Sequence, residues 1–322
     1  MTWVVWRQQR TLFLTLAIGL VVGVITILVL RAVSVGELTD RGLLDCVGKG
    51  IDACRSPAAA EFQVAWFEKM HIAAVTVLAA PLLIGVFVGA PLFAREYEQG
   101  THALAFTQSV SRTRWMVAKF VVTALPALTA VLVWQVVVHS WLDAVGSLGP
   151  LGLGPYYGTI FDGRSVSPVA YTLFAFTSGM LAGAVFKRTV AAMTVTLGLY
   201  VATRAVALQT REHLLAPTRV ISDDVLAPPM RYGPLHVAGG YLDAKGQVVA
   251  DPGPLMNCVG KEDAQGVVDT AACFRENGLA QRFNDVIPVE QATALHLVEG
   301  AIFVGCAVLF ALGTVWVVRR QT

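Results

Sequence analysis

Apolar residues along this chain gather into six long stretches instead of alternating with polar ones. Stretches without Asp, Glu, Lys or Arg cover residues 11–30, 70–94, 120–142, 165–186 and 300–318, and a sixth, 189–210, is broken only by Arg204. Each is close to the roughly 20 residues that a helix needs to cross a bilayer. Helices are the expected form, because hydrocarbon offers the backbone no outside hydrogen-bond partner. The pattern predicts an all-α membrane protein of six transmembrane helices, at about 11–33, 70–97, 115–142, 166–186, 189–210 and 296–318. The loops expected on the outer side are 34–69, 143–165 and 211–295, and the chain from 1 to 322 is expected to form one six-span domain.

Composition removes the soluble alternative. Hydrophobic residues make up 55% and charged residues 14%, whereas a soluble domain carries about 25% charged residues. The net charge of +2 is too small to suggest a nucleic-acid partner. Arg7 and Arg10 precede the first stretch as they would a signal peptide, but its apolar run exceeds the roughly 7–15 residues of a signal core. The chain opens on Met1, and the first span is expected to stay as an anchor.

The position of the charges orients the spans. With both termini in the cytoplasm, the inner segments 1–10, 95–119, 187–188 and 319–322 hold ten Lys/Arg and only two acids, Glu96 and Glu98. The outer loops 31–69 and 143–164 hold six Lys/Arg in more residues, so the positive-inside rule favours this orientation. Four cysteines then fall outside, Cys46 and Cys54 in the first loop, Cys258 and Cys273 in the last. An oxidising compartment suits pairing. Three connectivities exist; the short local pairs 46–54 and 258–273 are favoured, with four reduced thiols as the alternative. Cys306 falls mid-span and reads as a small apolar filler.

The last loop holds seven of the fourteen prolines, which argues against long helices there. Tyr241 to Val249 reads as a small hairpin with its turn at Gly246, and Pro288 is expected to open a helix leading into the last span. A loop of this size suits either a gate or a structural lid. Gly19/Gly23, Gly85/Gly89 and Gly179/Gly183 are pairs four apart, read as internal helix packing ahead of a dimer seam. Pro81, Pro91 and Pro126 are expected to kink spans two and three. Arg31, Arg204, Glu299 and His71 sit near the outer ends of spans and are expected to snorkel to the headgroups. Gln135 and His139, one turn apart and deeper in span three, are cavity candidates, with interhelical hydrogen bonding the favoured role.

Enzyme signatures are missing: the chain has no phosphate-loop motif, no His-Glu-x-x-His and no Gly-x-Ser-x-Gly. The informative segment is 95–119, Arg-Glu-Tyr-Glu-Gln-Gly-Thr-His-Ala-Leu-Ala-Phe-Thr-Gln-Ser-Val-Ser-Arg-Thr-Arg-Trp-Met-Val-Ala-Lys. Span two is expected to run on to Glu98 and stop at Gly100. Thr101 can cap a short helix from His102 to about Thr107, and Ser111 can cap span three, with Arg112, Arg114 and Lys119 at headgroup level. A short helix held between two spans below the membrane can pass force from a cytosolic partner; an ordinary basic loop would explain the arginines but not the Gly-Thr break.

Arg95-Glu96-x-Glu98-x-Gly100-Thr101, followed by Thr107-Gln108-Ser109-Val110-Ser111-Arg112 and Lys119, resembles the type-2 exporter class of ABC-transporter permeases, and more narrowly its actinobacterial members. Val5-Trp6-Arg7-Gln8, Phe87-Val88-Gly89-Ala90-Pro91-Leu92, Phe174-Ala175-Phe176, Lys187-Arg188-Thr189-Val190-Ala191-Ala192-Met193 and Trp316-Val317-Val318-Arg319-Arg320 also fit. The resemblance implies a permease subunit in a bacterial plasma membrane, working with a second permease copy, identical or related, and two cytosolic ATPase subunits that bind the ATP and Mg. No cofactor is expected on this chain. It also implies that Glu96, Glu98, Gly100, Thr101 and His102 belong to a coupling helix between spans 2 and 3 that docks on the ATPase, with Arg112 at the basic start of span three. Cargo of the class is amphipathic: a drug, antibiotic, peptide or lipid. One departure is the segment before span one, Thr2–Gln9, which is barely two turns where the class carries a longer connecting helix. The alternative functions are an ABC-like sensor or assembly protein that signals without transport, and a membrane enzyme, which the lack of a convergent acid, base or metal set disfavours.

Overall fold

The computed structural model describes residues 2–49, 54–100, 112–226, 233–249, 258 and 270–320. They divide into two compact units: residues 1–153, 157–209 and 293–322, and residues 154–156 with 210–292.

The larger unit is helical. Among the described residues, six helical stretches are long and apolar enough to cross a membrane: Phe13–Asp40, Pro57–Glu98, Arg114–Leu148, Ser167–Phe186, Thr189–His213 and Val289–Arg320. In order, α1 is Thr2–Asp40, α2 is Pro57–Ile84, α3 is Pro91–Glu98, α4 is Arg112–Val145, α5 is the short Gly158–Gly163, α6 is Ser167–Phe186 and α7 is Thr189–Thr210. After the sheet strands come α8, Thr270–Glu276, and α9, Ala292–Arg320. The segment Thr2–Gln9 is no separate helix; it continues into the first span. At about 1.5 Å per residue α1 is about 58 Å long, well beyond the bilayer core.

α2 begins thirteen residues before the uncharged stretch that betrayed it. Ser56 Oγ accepts the Ala59 N–H at 3.2 Å and Pro57 occupies the first turn, a strong helix start. Glu61, Glu68 and Lys69 lie on this extension, so a search for uncharged residues misses it, while its other face buries Phe62, Trp66 and Met70. Trp66 Nε1 donates to Glu37 Oε2 at 2.6 Å and Trp141 Nε1 to Ser34 Oγ at 2.8 Å, joining α2 and α4 to α1. Arg31 is exposed and donates to the Ser140 carbonyl at 3.1 Å. His71 is only half-buried and stacks on Phe67, 6.2 Å between centroids.

α2 and α3 join through a π-turn at Gly85–Gly89, where Ala90 N donates to Gly85 O at 2.9 Å. Pro81 precedes it inside α2, and Pro91 opens α3. This rod lies against α6, the most buried of the long helices, and at its glycines the two backbones meet without an intervening side chain. A methyl group placed on Gly89 would lie 2.5 Å from the Phe176 carbonyl oxygen, and one on Gly179 would lie 2.6 Å from that of Gly85. Gly85 and Gly183 are equally close to the facing backbone, and Gly23 lies against the Trp134 ring. Gly19 has open space beside it. The glycine pairs of spans two and four therefore serve internal packing.

Two short cross-links follow the cysteine pairs. Cys46 is bonded to Cys54, with Cα atoms 5.7 Å apart, and the loop is held by Ser147 Oγ donating to the Cys46 carbonyl at 2.8 Å. Cys258 is bonded to Cys273. Cys306 is a free cysteine.

The smaller unit has a three-stranded antiparallel sheet: β1 (Thr218–Ser222), β2 (Leu235–Leu242) and β3 (Gln281–Ile287), with β3 in the middle. The expected turn is present, since Leu242 bridges Val248 and Gly246 has φ +76°. The sheet is larger than the hairpin expected. Gln-Arg-Phe-Asn-Asp-Val-Ile does not alternate cleanly, and it lies forty residues from β2, so local pattern gave no sign of the pairing. Arg219 grips Asp285 with two hydrogen bonds of 2.8 Å, which holds that carboxyl below the usual carboxylate range. Pro288 leads through the turn Val289–Gln291 into α9, as expected.

Candidate functional site

The end of α3 is built from Arg95-Glu96-Tyr97-Glu98 and stops at Gly100. Gln99 N donates to Arg95 O at 3.0 Å and Gly100 N to Tyr97 O at 3.3 Å, with Gly100 at φ +70°, the left-handed closure that glycine tolerates best. Residues two apart on a helix do not face each other, so the two glutamates reach different neighbours. Glu96 forms an ion pair with Lys119 on α4. Glu98 Oε2 accepts from the Thr189 amide at 3.2 Å and from its hydroxyl at 2.6 Å. That carboxylate caps the first turn of α7 from 91 residues away, where orphan N–H groups and the helix dipole favour a negative charge.

One expectation needs correcting here. Lys119 was expected at headgroup level, yet its side chain is only 2% exposed. Its stem runs beside aromatic rings, placing Nζ 4.4 Å from the Trp115 centroid and 5.5 Å from that of Phe93, and it donates to the Leu92 carbonyl at 3.4 Å. Ring faces, a carbonyl and a carboxylate together replace the water that the ammonium loses. Thr101, His102 and the helix expected up to Thr107 lie outside the described residues, as does the side chain of Arg112.

A second polar site lies among the spans, and the sequence reading missed it. Arg204 on α7 reaches Asp162 on α5 at 2.5 Å and Glu299 on α9 at 3.0 Å. Tyr171 on α6 donates to Glu299 at 2.7 Å and to Asp162 at 3.4 Å, and the guanidinium carbon sits 4.1 Å above the Tyr171 ring. Arg204 and Glu299 were expected to snorkel outward. They turn inward instead, because each finds the opposite charge within hydrogen-bond reach, which lowers the cost of burial. The lone arginine in an uncharged span was a signal; Asp162, in a loop expected to face solvent, gave none. That loop contains α5, whose Ile160, Phe161 and Asp162 are all buried.

Gln135 and His139 divide. Gln135 Nε2 donates to the Ser165 carbonyl at 2.9 Å, a bond from span three to the turn before α6. His139 Nδ1 bonds the Gln135 carbonyl in its own helix at 2.9 Å. His296 stacks on Phe161, 3.9 Å between centroids, and its Nδ1 lies 3.0 Å from Ser167 Oγ. Among the described residues no group of three or more His, Cys, Asp or Glu is arranged to hold a metal ion.

Among the described residues, six long apolar helices, three of them tied at one end by Glu96 and Glu98 and others joined by a buried charge cluster, define a multi-span membrane protein. Residues 17–211 match the family described as "ABC-2 membrane transporter related". That match covers more than half of the chain, so the protein belongs to this family of non-catalytic, membrane-embedded permease components. No curated protein and no solved structure matches it.

Proposed function

We propose that this chain is the permease subunit of an ATP-driven exporter in a bacterial plasma membrane, moving an amphipathic cargo outward. Two copies, identical or related, work with two cytosolic ATPase subunits. Both termini and the Gly100 segment face the cytoplasm, and the disulfide-bearing loops face outside. The observation that carries the reading is the double tie ahead of Gly100. Glu96 fastens the end of span two to span three, and Glu98 fastens it to the start of span five. A push on the segment that follows is therefore felt by three spans at once, which is what a docked ATPase requires of its partner. A cleft of about 260 Å³ lined by Leu16, Gly19, Leu83, Ile84 and Trp134 supports cargo with an apolar part.

The test is to isolate the tagged chain from its native membrane, identify the co-purifying ATPase, and reconstitute both in vesicles. ATP-dependent movement of an amphipathic dye, lost on Glu96→Ala with Glu98→Ala, is expected. A chain that purifies without any ATPase refutes the reading. A second reading, an ABC-like sensor that signals without transport, is favoured by the folded sheet unit with its own disulfide. In that case a compound stimulates ATP hydrolysis but does not move.

A further inference from the structure

Unsatisfied polarity and backbone strain meet in one place, the segment 157–165. Among the described residues, five buried polar atoms without a hydrogen-bond partner lie in this segment or on side chains next to it: Thr159 Oγ1, Arg164 Nε, His71 Nδ1, Gln135 Oε1 and His139 Nε2. His71 adjoins Tyr157 at 6.2 Å between rings. A methyl group on Gly163 would lie 3.7 Å from His139 Nε2, and Gln135 is bonded to Ser165. Ser165 itself has φ +56°, a left-handed conformation that costs a residue with a side chain. Buried orphan groups and left-handed non-glycine residues persist only where the surroundings enforce them. Here the enforcing contacts are Arg204 on Asp162, Phe161 under His296, Gln135 on Ser165, and Arg164 paired with Asp143.

We infer that residues 157–165 form a gate, held shut in this structure by those four contacts and poised to open because opening hydrates the five orphan groups and relaxes Ser165. The inference rests on the transport reading for its purpose, since a gate implies passage, but its physical content is a two-state segment. Closed, the segment is packed among the spans and its Asp162 belongs to the charge cluster. Open, the polar edge of span three at Gln135 and His139 faces water. The sign of the effect is unusual: removing polarity or strain from this segment should hold it shut, and removing Arg204 should release it.

The experiment uses the full chain in nanodiscs without nucleotide. A single reporter, Ile160→Cys, is placed in a Cys306→Ser background, Ile160 being 1% exposed. Reaction with a charged methanethiosulfonate then reports opening. Slow labelling is expected in this parent. Ser165→Gly should slow it about tenfold, the factor that relief of one left-handed residue corresponds to, and His139→Phe should slow it several-fold. Arg204→Met should speed it at least tenfold. Gly163→Cys serves as a second reporter should Ile160→Cys fold poorly, because its Cβ would meet His139 at an ordinary 3.4 Å. A parent in which neither reporter reacts overturns the inference, as do Ser165→Gly and His139→Phe that react at the parental rate or faster. Since no ATPase is present, these outcomes are independent of whether the complex transports.

Discussion

Arg204→Met is the most informative single change in the larger unit. The guanidinium holds two buried carboxylates, Asp162 at 2.5 Å and Glu299 at 3.0 Å, with side chains 5% and 2% exposed. Methionine fills much of the volume but removes the charge. Breaking a buried ion pair by removing one partner costs about 3–5 kcal/mol, because the remaining charge keeps its desolvation penalty. Glu299→Gln is the milder contrast, since an amide oxygen can still accept from Tyr171 and Arg204; losing the charge assistance costs about 1–2 kcal/mol. Purified variants in one detergent, melted while tryptophan emission is followed, should differ accordingly. Arg204→Met should melt about 5–10 °C below the parent and Glu299→Gln only a few degrees below. Adding Asp162→Asn and Glu299→Gln to Arg204→Met should restore most of the loss, because the orphaned charges are then gone. An Arg204→Met protein that melts with the parent, or above Glu299→Gln, would refute the view that the three charges stabilise one another.

Four further outcomes are expected. Gly179→Ala should lower the melting temperature markedly, since its Cβ would sit 2.6 Å from a backbone oxygen, an overpacking cost of about 1–3 kcal/mol, whereas Gly19→Ala, with nothing within 4 Å, should melt as the parent does. Gly100→Pro, which cannot adopt φ +70°, should leave the spans folded but separate ATP hydrolysis from cargo movement in the reconstituted complex; transport at the parental rate would contradict the assigned role. Mass mapping of non-reduced peptides should return 46–54 and 258–273 as the linked pairs, and a fully reduced peptide from fresh membranes would sink the oxidising assignment. Because Arg219 lowers the pKa of Asp285 in the folded sheet, the pair stabilises it above the ordinary carboxylate pKa, and that share is lost as pH falls through the lower folded value. Arg219→Gln should therefore raise amide exchange in β1 and β3 relative to the parent at pH 6, with the ratio approaching one in strong acid.

Six helices were legible in the sequence because a bilayer demands one obvious thing, about twenty residues without charge. The ends were less legible. Pro57 to Lys69 belongs to α2 but carries charge on one face, so it reads as loop until Phe62 and Trp66 are seen buried. Gly100 as a stop was readable from residue type alone. The partners of Glu96 and Glu98 were not, because Lys119 and Thr189 lie 23 and 91 residues away and nothing local selects them over three nearer arginines. Arg204 drew notice as a lone charge, but only the fold brings Asp162 and Glu299 to it. Long-range polar pairing is decided by packing, and one sequence records packing only indirectly.

The glycine seam between α2–α3 and α6 has a mechanical consequence. Two helices that touch through backbone, with no side-chain layer between them at Gly85, Gly89, Gly179 and Gly183, have no lubricating hydrocarbon to slide on. Contact this close should make them turn together, as one beam. Tyr171 of the charge cluster is on that beam at one end, and Glu96 and Glu98 are on it at the other. If the proposed coupling at Gly100 holds, these glycines are where a torque would cross toward the place at which Arg204 clasps Asp162, and widening any of them should weaken that link.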